Sequence, residues 1–461
     1  MKRQTRFIVG AILLWCSVFA WSLYAVGAED QAALQPVAQI ALDERLDHNV
    51  LTVDHRVPHV STVPANAGER VELAVRERVV EGKEGKPFGK AVLFVHGATV
   101  PSRPVFELRV DHYDWAGYLA KSGFDVFMID HQGSGLSPRP KMDEPCNADP
   151  GQRSILIPNP LSEPEPCPEK VGDKTYPRGV KYPSQLINSQ SDWDELDTVV
   201  EYIKAYRGVE KVALIGYSQG SFRVGPYAIQ HPDKVDSVLF LSPIFNPAGR
   251  ASAPGTRFGA PVVLPVDSPA TQYGFPMRLT TKAMLNNMWN IEVQEAQKDQ
   301  EAQCEGQQQE GIYDLLWSSI MENDPLGRTW GGNSPMETEG VMRVRNPFLW
   351  GWNNTTVKQL VPPFSLDEPV VLGGSVPVLI IYGKYDRQVI AAPFSVTALY
   401  DAIPGDSKLL FKVACSGHFM AWEGQRRVLH HISKQWLKHG SVEGFTTGLF
   451  FVDTEGNISP L

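Results

Sequence analysis

The stretch Val212-Ala-Leu-Ile-Gly-Tyr-Ser-Gln-Gly220 restricts this chain more than any other. Val212 to Ile215 is a short apolar run of strand character, and it breaks into Gly216-Tyr217-Ser218-Gln219-Gly220 just before a helix-like segment, Ser221 to Gln230. A serine held in a sharp strand-to-helix turn takes a strained backbone conformation, and glycines two residues to either side let neighbouring chains come close. Such a serine projects from the end of a sheet with a helix N-terminus beneath it. That is the setting of a nucleophile, whereas an isolated Gly-x-Ser-x-Gly is equally an ordinary turn.

The rest of the chain repeats the strand-then-helix rhythm. Val71 to Val79 alternates like an antiparallel strand, and Ala91 to Val95 is a continuous apolar run ending in His96-Gly97. Asp114 to Lys121 reads as a helix, Phe124 to Ile129 as a buried strand, and Asp130 to Gly135 as a glycine-rich loop. A helical period runs from Ser191 to Tyr206, with its acidic residues in the first half where the helix dipole favours them. Strand character returns at Val235–Leu241, Val376–Tyr382 and Lys408–Val413, and helices are expected at 389–399 and 426–438. Strands alternating with helices imply a parallel sheet with right-handed crossovers.

Two insertions interrupt this pattern within a core expected at 69–242 and 375–440. The first, 138–183, holds eleven prolines together with Cys146 and Cys167. The second, 243–374, carries helices at 280–300 and 311–321 and the tryptophans Trp289, Trp317, Trp330, Trp350 and Trp352, and reads as a cap domain. Residues 29–68 lack a sustained period, contain Pro58 and Pro64, and read as a surface arm; His48, His55 and His59 there have no acidic or cysteine partners at metal-ligand spacing. The tail, 441–461, can form a hairpin around Glu455-Gly456-Asn457.

At the N-terminus, Lys2, Arg3 and Arg6 precede an uncharged stretch, and Val26-Gly27-Ala28 suits signal-peptidase cleavage. Residues 1–28 are therefore a signal peptide or, uncleaved, a membrane anchor through 7–28, and the chain is expected to be exported, periplasmic or secreted. Losing that segment takes the formal charge from −9 to −12, which argues against nucleic acid and anionic membrane surfaces as partners.

The order of these elements and motifs resembles the α/β-hydrolase superfamily, serine-nucleophile branch, over roughly Val71–Ser242 and Val376–Lys438. The resemblance implies a mostly parallel sheet flanked by helices, a cap inserted after the strand at 235–241, and no cofactor or metal. It implies an acid after a late strand, matched by Asp386 in Ile380-Ile-Tyr-Gly-Lys-Tyr-Asp, and a histidine after the last one, matched by His418 in Ala414-Cys-Ser-Gly-His. Ser218 would then be the nucleophile, His418 the base and Asp386 the group that orients it. The backbone N–H of Gln219 is one oxyanion donor, and the resemblance makes Ala98 the second, with Thr99 as runner-up. His96, Asp130 and His131 are expected to brace the neighbouring turns.

Carboxylic ester hydrolysis is the expected activity, on a small-molecule or lipid-like ester with an apolar or aromatic moiety if the five tryptophans roof a pocket over Ser218. The alternative use of those rings is the cap's own core. A secreted aminopeptidase is the second reading, with Glu292, Glu295, Glu301 and Glu322 available to hold a substrate amine, and acyl transfer the third; from another class, the alternative is a non-catalytic binding protein of the same fold. Four cysteines remain after Cys16 is removed with the leader, and they permit three pairings. Cys146 with Cys167 lies within one insertion, which leaves Cys304 and Cys415 to staple the cap to the histidine loop or to stay as buried thiols.

Overall fold

Apolar runs that must be buried on both faces assemble side by side, and here they make the middle of an eleven-stranded sheet. In the computed structural model the described residues are 36–40, 49–86, 89–110, 112–163, 166–167, 170–171, 174–175, 181–253, 255–261, 274–299, 304–332, 339–360 and 369–461. The strands are β1 (Ala38–Gln39), β2 (Val50–Val60), β3 (Arg70–Val80), β4 (Ala91–Val95), β5 (Asp125–Asp130), β6 (Val212–Tyr217), β7 (Val235–Leu241), β8 (Val378–Gly383), β9 (Lys408–Val413), β10 (Gly448–Val452) and β11 (Asn457–Pro460). Their spatial order is β1-β11-β10-β9-β8-β7-β6-β4-β5-β3-β2. The neighbours from β5 through β10 are all parallel, and antiparallel strands close each side.

Helix α1 (Trp115–Lys121) starts on an Asp114 cap that accepts from the Gly117 N–H. α2 (Ser189–Arg207) starts on a capping box at Asn188. α3 (Ser221–Gln230) follows β6 directly and contains Pro226. A proline at that point cannot donate to the Phe222 carbonyl one turn back; the Trp193 indole N–H of α2 donates to it instead at 3.0 Å. The segment expected as one helix over 389–399 is two short pieces, Arg387–Ile390 and α6 (Val396–Ala402), because Pro393 sits where a continuous helix would need its N–H.

The ends of the chain differ most from the reading of the sequence. The expected arm contributes β2, which pairs with β3 along its whole length, and β1, which pairs with β11. Pro58 lies on the edge strand, where a missing N–H costs no ladder bond. The expected tail joins the sheet, with β10 parallel to β9 and β11 folding back on it.

The second insertion supplies α4 (Lys282–Lys298) and α5 (Ile312–Glu322) and a two-stranded ribbon, 277–280 with 342–345. Residues Pro36–Leu461 form one compact unit that includes it. The proline-rich insertion packs on the ribbon: Met142, Ala148 and Leu156 share an apolar cluster with Met277, Leu279 and Trp330. The five tryptophans are core residues and not a roof over Ser218. Trp289 and Trp317 belong to one apolar cluster, Trp350 and Trp352 to a second on the opposite side of the sheet, and Trp330 to the third. Trp352, for example, packs between Phe240 and Phe245 and over Gly225 of α3, where no side chain would fit.

Candidate active site

The turn between β6 and α3 has the geometry its glycines suggest. Ser218 sits at φ 55°, a left-handed conformation that L-residues rarely adopt. A Cβ on Gly216 would lie 3.1 Å from the Gly220 carbonyl oxygen, and one on Gly220 would lie 2.6 Å from that of Val95. Gly97 on the turn after β4 is pressed against Ser218 in the same way, a Cβ there standing 3.0 Å from Ser218 Cβ. Ala98 follows directly, half-buried, as is Gln219.

The three side chains named from the sequence come together over this turn. His418, on the loop after β9, has Nε2 at 2.9 Å from Ser218 Oγ, and its Nδ1 lies 2.9 and 3.1 Å from the two oxygens of Asp386, on the loop after β8. A carboxylate only accepts, so Nδ1 carries the proton and Nε2 is free to accept from the Ser218 hydroxyl. Asp386 also caps the helix that follows it, accepting from the Gln388 N–H at 3.2 Å. All three are buried. The Tyr217 hydroxyl donates to the His418 carbonyl at 3.0 Å, which ties the histidine loop to the end of β6.

His96, Asp130 and His131 are indeed placed beside the turns. His96 Nδ1 donates to the Gly97 carbonyl at 2.8 Å, and its Nε2 accepts from the His131 N–H at 3.3 Å, a pattern that fits the neutral ring. Burial, then the nearby Arg223 and Arg345 charges, hold His96 well below the usual histidine range. Asp130 accepts from the N–H groups of Ser102 and Leu136. Beneath lies a network the sequence did not reveal. Asp192 of α2 accepts from Arg223 of α3 at 2.8 Å and from Arg345 of the ribbon at 2.8 and 2.9 Å, while Arg223 also donates to the His96 carbonyl. Burial works to raise the Asp192 carboxyl, but the two guanidiniums overcome it and hold it down.

His131, Asp192 and Glu195 place ligand-type atoms within 4.8 Å of one another. The facing atoms are already engaged: Asp192 by the two arginines, and Glu195 by His131 Nδ1 and Gln132. The cluster is an ion-pair network and does not fit a cation. His55 bonds Glu77 and Tyr202, and His59 bonds Thr198, so both serve the packing of β2; His48 lies outside the described residues.

The described acidic residues considered for a substrate amine are engaged by protein groups or set apart from Ser218. Glu292 is buried behind the histidine loop, Glu295 pairs with Arg387, and Glu322 lines a separate cavity of about 410 Å³ with Arg76, Arg103 and Arg109. Glu301 lies outside the described residues. Both cysteine pairs are bonded, Cys146 with Cys167 and Cys304 with Cys415.

Several buried carboxyls have been pushed up, each by burial first: Glu195 and Glu423 to about 7, Asp125 to about 8, Glu292 to about 9. In the unfolded chain such groups lose their protons near ~4. The stability they contribute is therefore complete below that value and is lost as pH rises through 7 to 9. The melting temperature should fall from about pH 6 to pH 9; a thermal-shift series that rises steadily over that interval contradicts the assignment.

A family model described as alpha/beta hydrolase fold matches residues 90–425, and the chain belongs to that family. Among solved structures it is similar to a serine hydrolase from the polyaromatic hydrocarbon-degrading bacterium Cycloclasticus zankles, with 12% identity, 85% of this chain and 98% of that one covered and a TM-score of 0.42. It is similar also to a thermophilic esterase from Thermogutta terrifontis, with 13% identity, coverages of 84% and 99% and a TM-score of 0.39. A third is the 2-hydroxy-6-oxo-6-phenylhexa-2,4-dienoate hydrolase of a Rhodococcus species, at 13% identity, 82% and 96% coverage and a TM-score of 0.38. No curated protein matches the chain in sequence. Family membership rests on the matched span; superpositions this loose carry no argument about the reaction.

Proposed function

We propose that this protein is an exported serine hydrolase that cleaves carboxylic esters through an acyl-enzyme on Ser218. The observation that carries the reading is the unbroken hydrogen-bonded line from Ser218 Oγ through His418 to Asp386. His418 takes the serine proton as Oγ attacks the carbonyl carbon and returns it to the departing alkoxide; a water activated by the same ring then releases the acid. Asp386 holds the reacting tautomer and stabilises the imidazolium. The N–H groups of Gln219 and Ala98 are the proposed donors to the tetrahedral oxygen, and the Ala98 N–H is not engaged by another protein group among the described residues.

Glu292 is engaged by two main-chain N–H groups and Glu295 by Arg387, which weighs against their holding a substrate amine as an aminopeptidase would need, and retention of all three reacting groups speaks against a purely binding role. Two disulfides fit an oxidising compartment and, with the basic and then apolar N-terminal segment, support export. Among the described residues no helix is long and apolar enough to cross a membrane. The proposed substrate is a small-molecule or lipid-like ester, its acyl length to be read from a series.

A panel of chromogenic esters of increasing acyl length, run beside aminoacyl anilides, tests this directly. Esters should be turned over and a fluorophosphonate should label Ser218. Preferential cleavage of the anilides, or labelling that persists in Ser218→Ala, overturns the reading.

A further inference from the structure

The insertion reaches the reacting groups through one face of α4. Four residues at helical spacing, Trp289, Glu292, Ala296 and Asp299 just beyond its end, face the loops after β8 and β9. Trp289 donates to Glu423 at 2.9 Å, and the other oxygen of Glu423 accepts from the Gly417 N–H at 2.7 Å. Asp299 accepts from Lys384 and from Tyr385, each at 2.6 Å. Ala296 packs with Tyr385 and the two bonded cysteines.

Glu292 makes the decisive contacts. One carboxyl oxygen accepts from the main-chain N–H of His418 at 2.7 Å, and the other from that of Arg387, the residue after Asp386, at 3.2 Å. The side chain is 1% exposed. Gly417 belongs to the same device, because a Cβ there would press on Glu292 Oε2. No other side chain described bonds the backbone of both loops at the base and beside the acid.

We infer that Glu292 is a positioning residue for the reaction proposed above: by holding the main chain at His418 and at Arg387 with one carboxyl group, it sets the base against the acid. The insertion is then part of the catalytic apparatus and not just a cover. The inference rests on the Ser218–His418–Asp386 reading.

The electrostatics suit that role. Facing Glu292 are Asp386 and Arg387 from the acid loop, His418 and Glu423 from the histidine loop, and Tyr217 from β6. Burial, and after it the Asp386 charge, push its carboxyl up to about 9. The two main-chain N–H groups from which it accepts work against that push and compensate the carboxyl for its burial.

The test compares Glu292→Met, which fills the space but accepts nothing, with Glu292→Gln, which keeps one acceptor. On a chromogenic ester, Glu292→Met should lower kcat by about 30–100-fold with KM within about threefold, a loss of the size that modest misplacement of reacting groups produces. With Asp386 no longer aligned to stabilise the imidazolium, the acid limb of its rate profile should move to lower pH. Glu292→Gln, which restores one of the two bonds, should fall between Glu292→Met and wild type in both kcat and the acid limb. If Glu292→Met does not fold, Gly417→Ala, which displaces the carboxyl without removing it, should reproduce the kcat loss. Wild-type kcat in a folded Glu292→Met or Gly417→Ala overturns the proposal, as does a loss accounted for by unfolded protein with no change in the acid limb. Turnover by Ser218→Ala would instead overturn the underlying reading, so the two failures are distinguishable.

Discussion

Ser218→Ala should lower kcat for an activated ester by about 10⁶-fold, leaving about 10³–10⁴ over the uncatalysed rate from binding and oxyanion donors. KM should change little, because the hydroxyl reacts with the substrate and does not hold it. The variant should fold normally: alanine keeps the Cβ and removes only the hydroxyl that bonds His418, and the strained φ of 55° is set by the strand and helix on either side. Asp386→Asn is the sharper companion. Asparagine caps helices about as well as aspartate, so the turn at Arg387–Ile390 survives. What is lost is the charge that stabilises the imidazolium and the acceptor that fixes its tautomer, and kcat should drop about 10⁴-fold. A Ser218→Ala enzyme within tenfold of wild type, or an Asp386→Asn enzyme equally active, would mean that another constellation performs the reaction.

These residues were legible because the chemistry imposes a local pattern. Ser218 required glycines at 216 and 220 to let Val95 and the α3 backbone approach, and those glycines stand in the sequence as a signature. Asp386 and His418 each follow an apolar strand, so chain order was enough to name them. Strand β2 was hidden for the opposite reason. Its inward positions include His55 and His59, satisfied by Glu77, Tyr202 and Thr198, so the alternation that marks a half-buried strand is polar on both faces there. The role of Glu292 was hidden as well, since a glutamate on a helix of the insertion, read as available to a substrate amine, gives no hint that two N–H groups more than ninety positions away will close on it. The tryptophans left two readings open, pocket roof or core, for a related reason: aromatic content shows that a segment is buried, not what it is buried against. Contacts between an insertion and the core depend on where the linkers deliver it, and linkers carry no period.

The Cys304–Cys415 bond joins that insertion to the histidine loop covalently, and its removal should affect both stability and rate. The bridge closes a loop of 111 residues in sequence, for which the chain-entropy account gives a stabilisation of about 4–5 kcal/mol. Cys415 lies three residues before His418 and holds a left-handed φ of 46°, a conformation that the bond and the packing of Tyr385 and Ala296 help to maintain. The Cys304→Ala/Cys415→Ala pair should therefore unfold at lower denaturant and, while still folded, show a lower kcat as the loop carrying the base relaxes. The other bridge supplies the control. Cys146 and Cys167 are separated by 21 positions within the proline-rich insertion, so removing them should cost about 3 kcal/mol by the same account and leave kcat unchanged, because no reacting group lies on that loop. Equal kcat in both double variants would show that the hydrogen bonds from Glu292, Tyr217 and Asp386 hold the histidine loop without the bridge, and that Cys304–Cys415 serves the fold without serving the base.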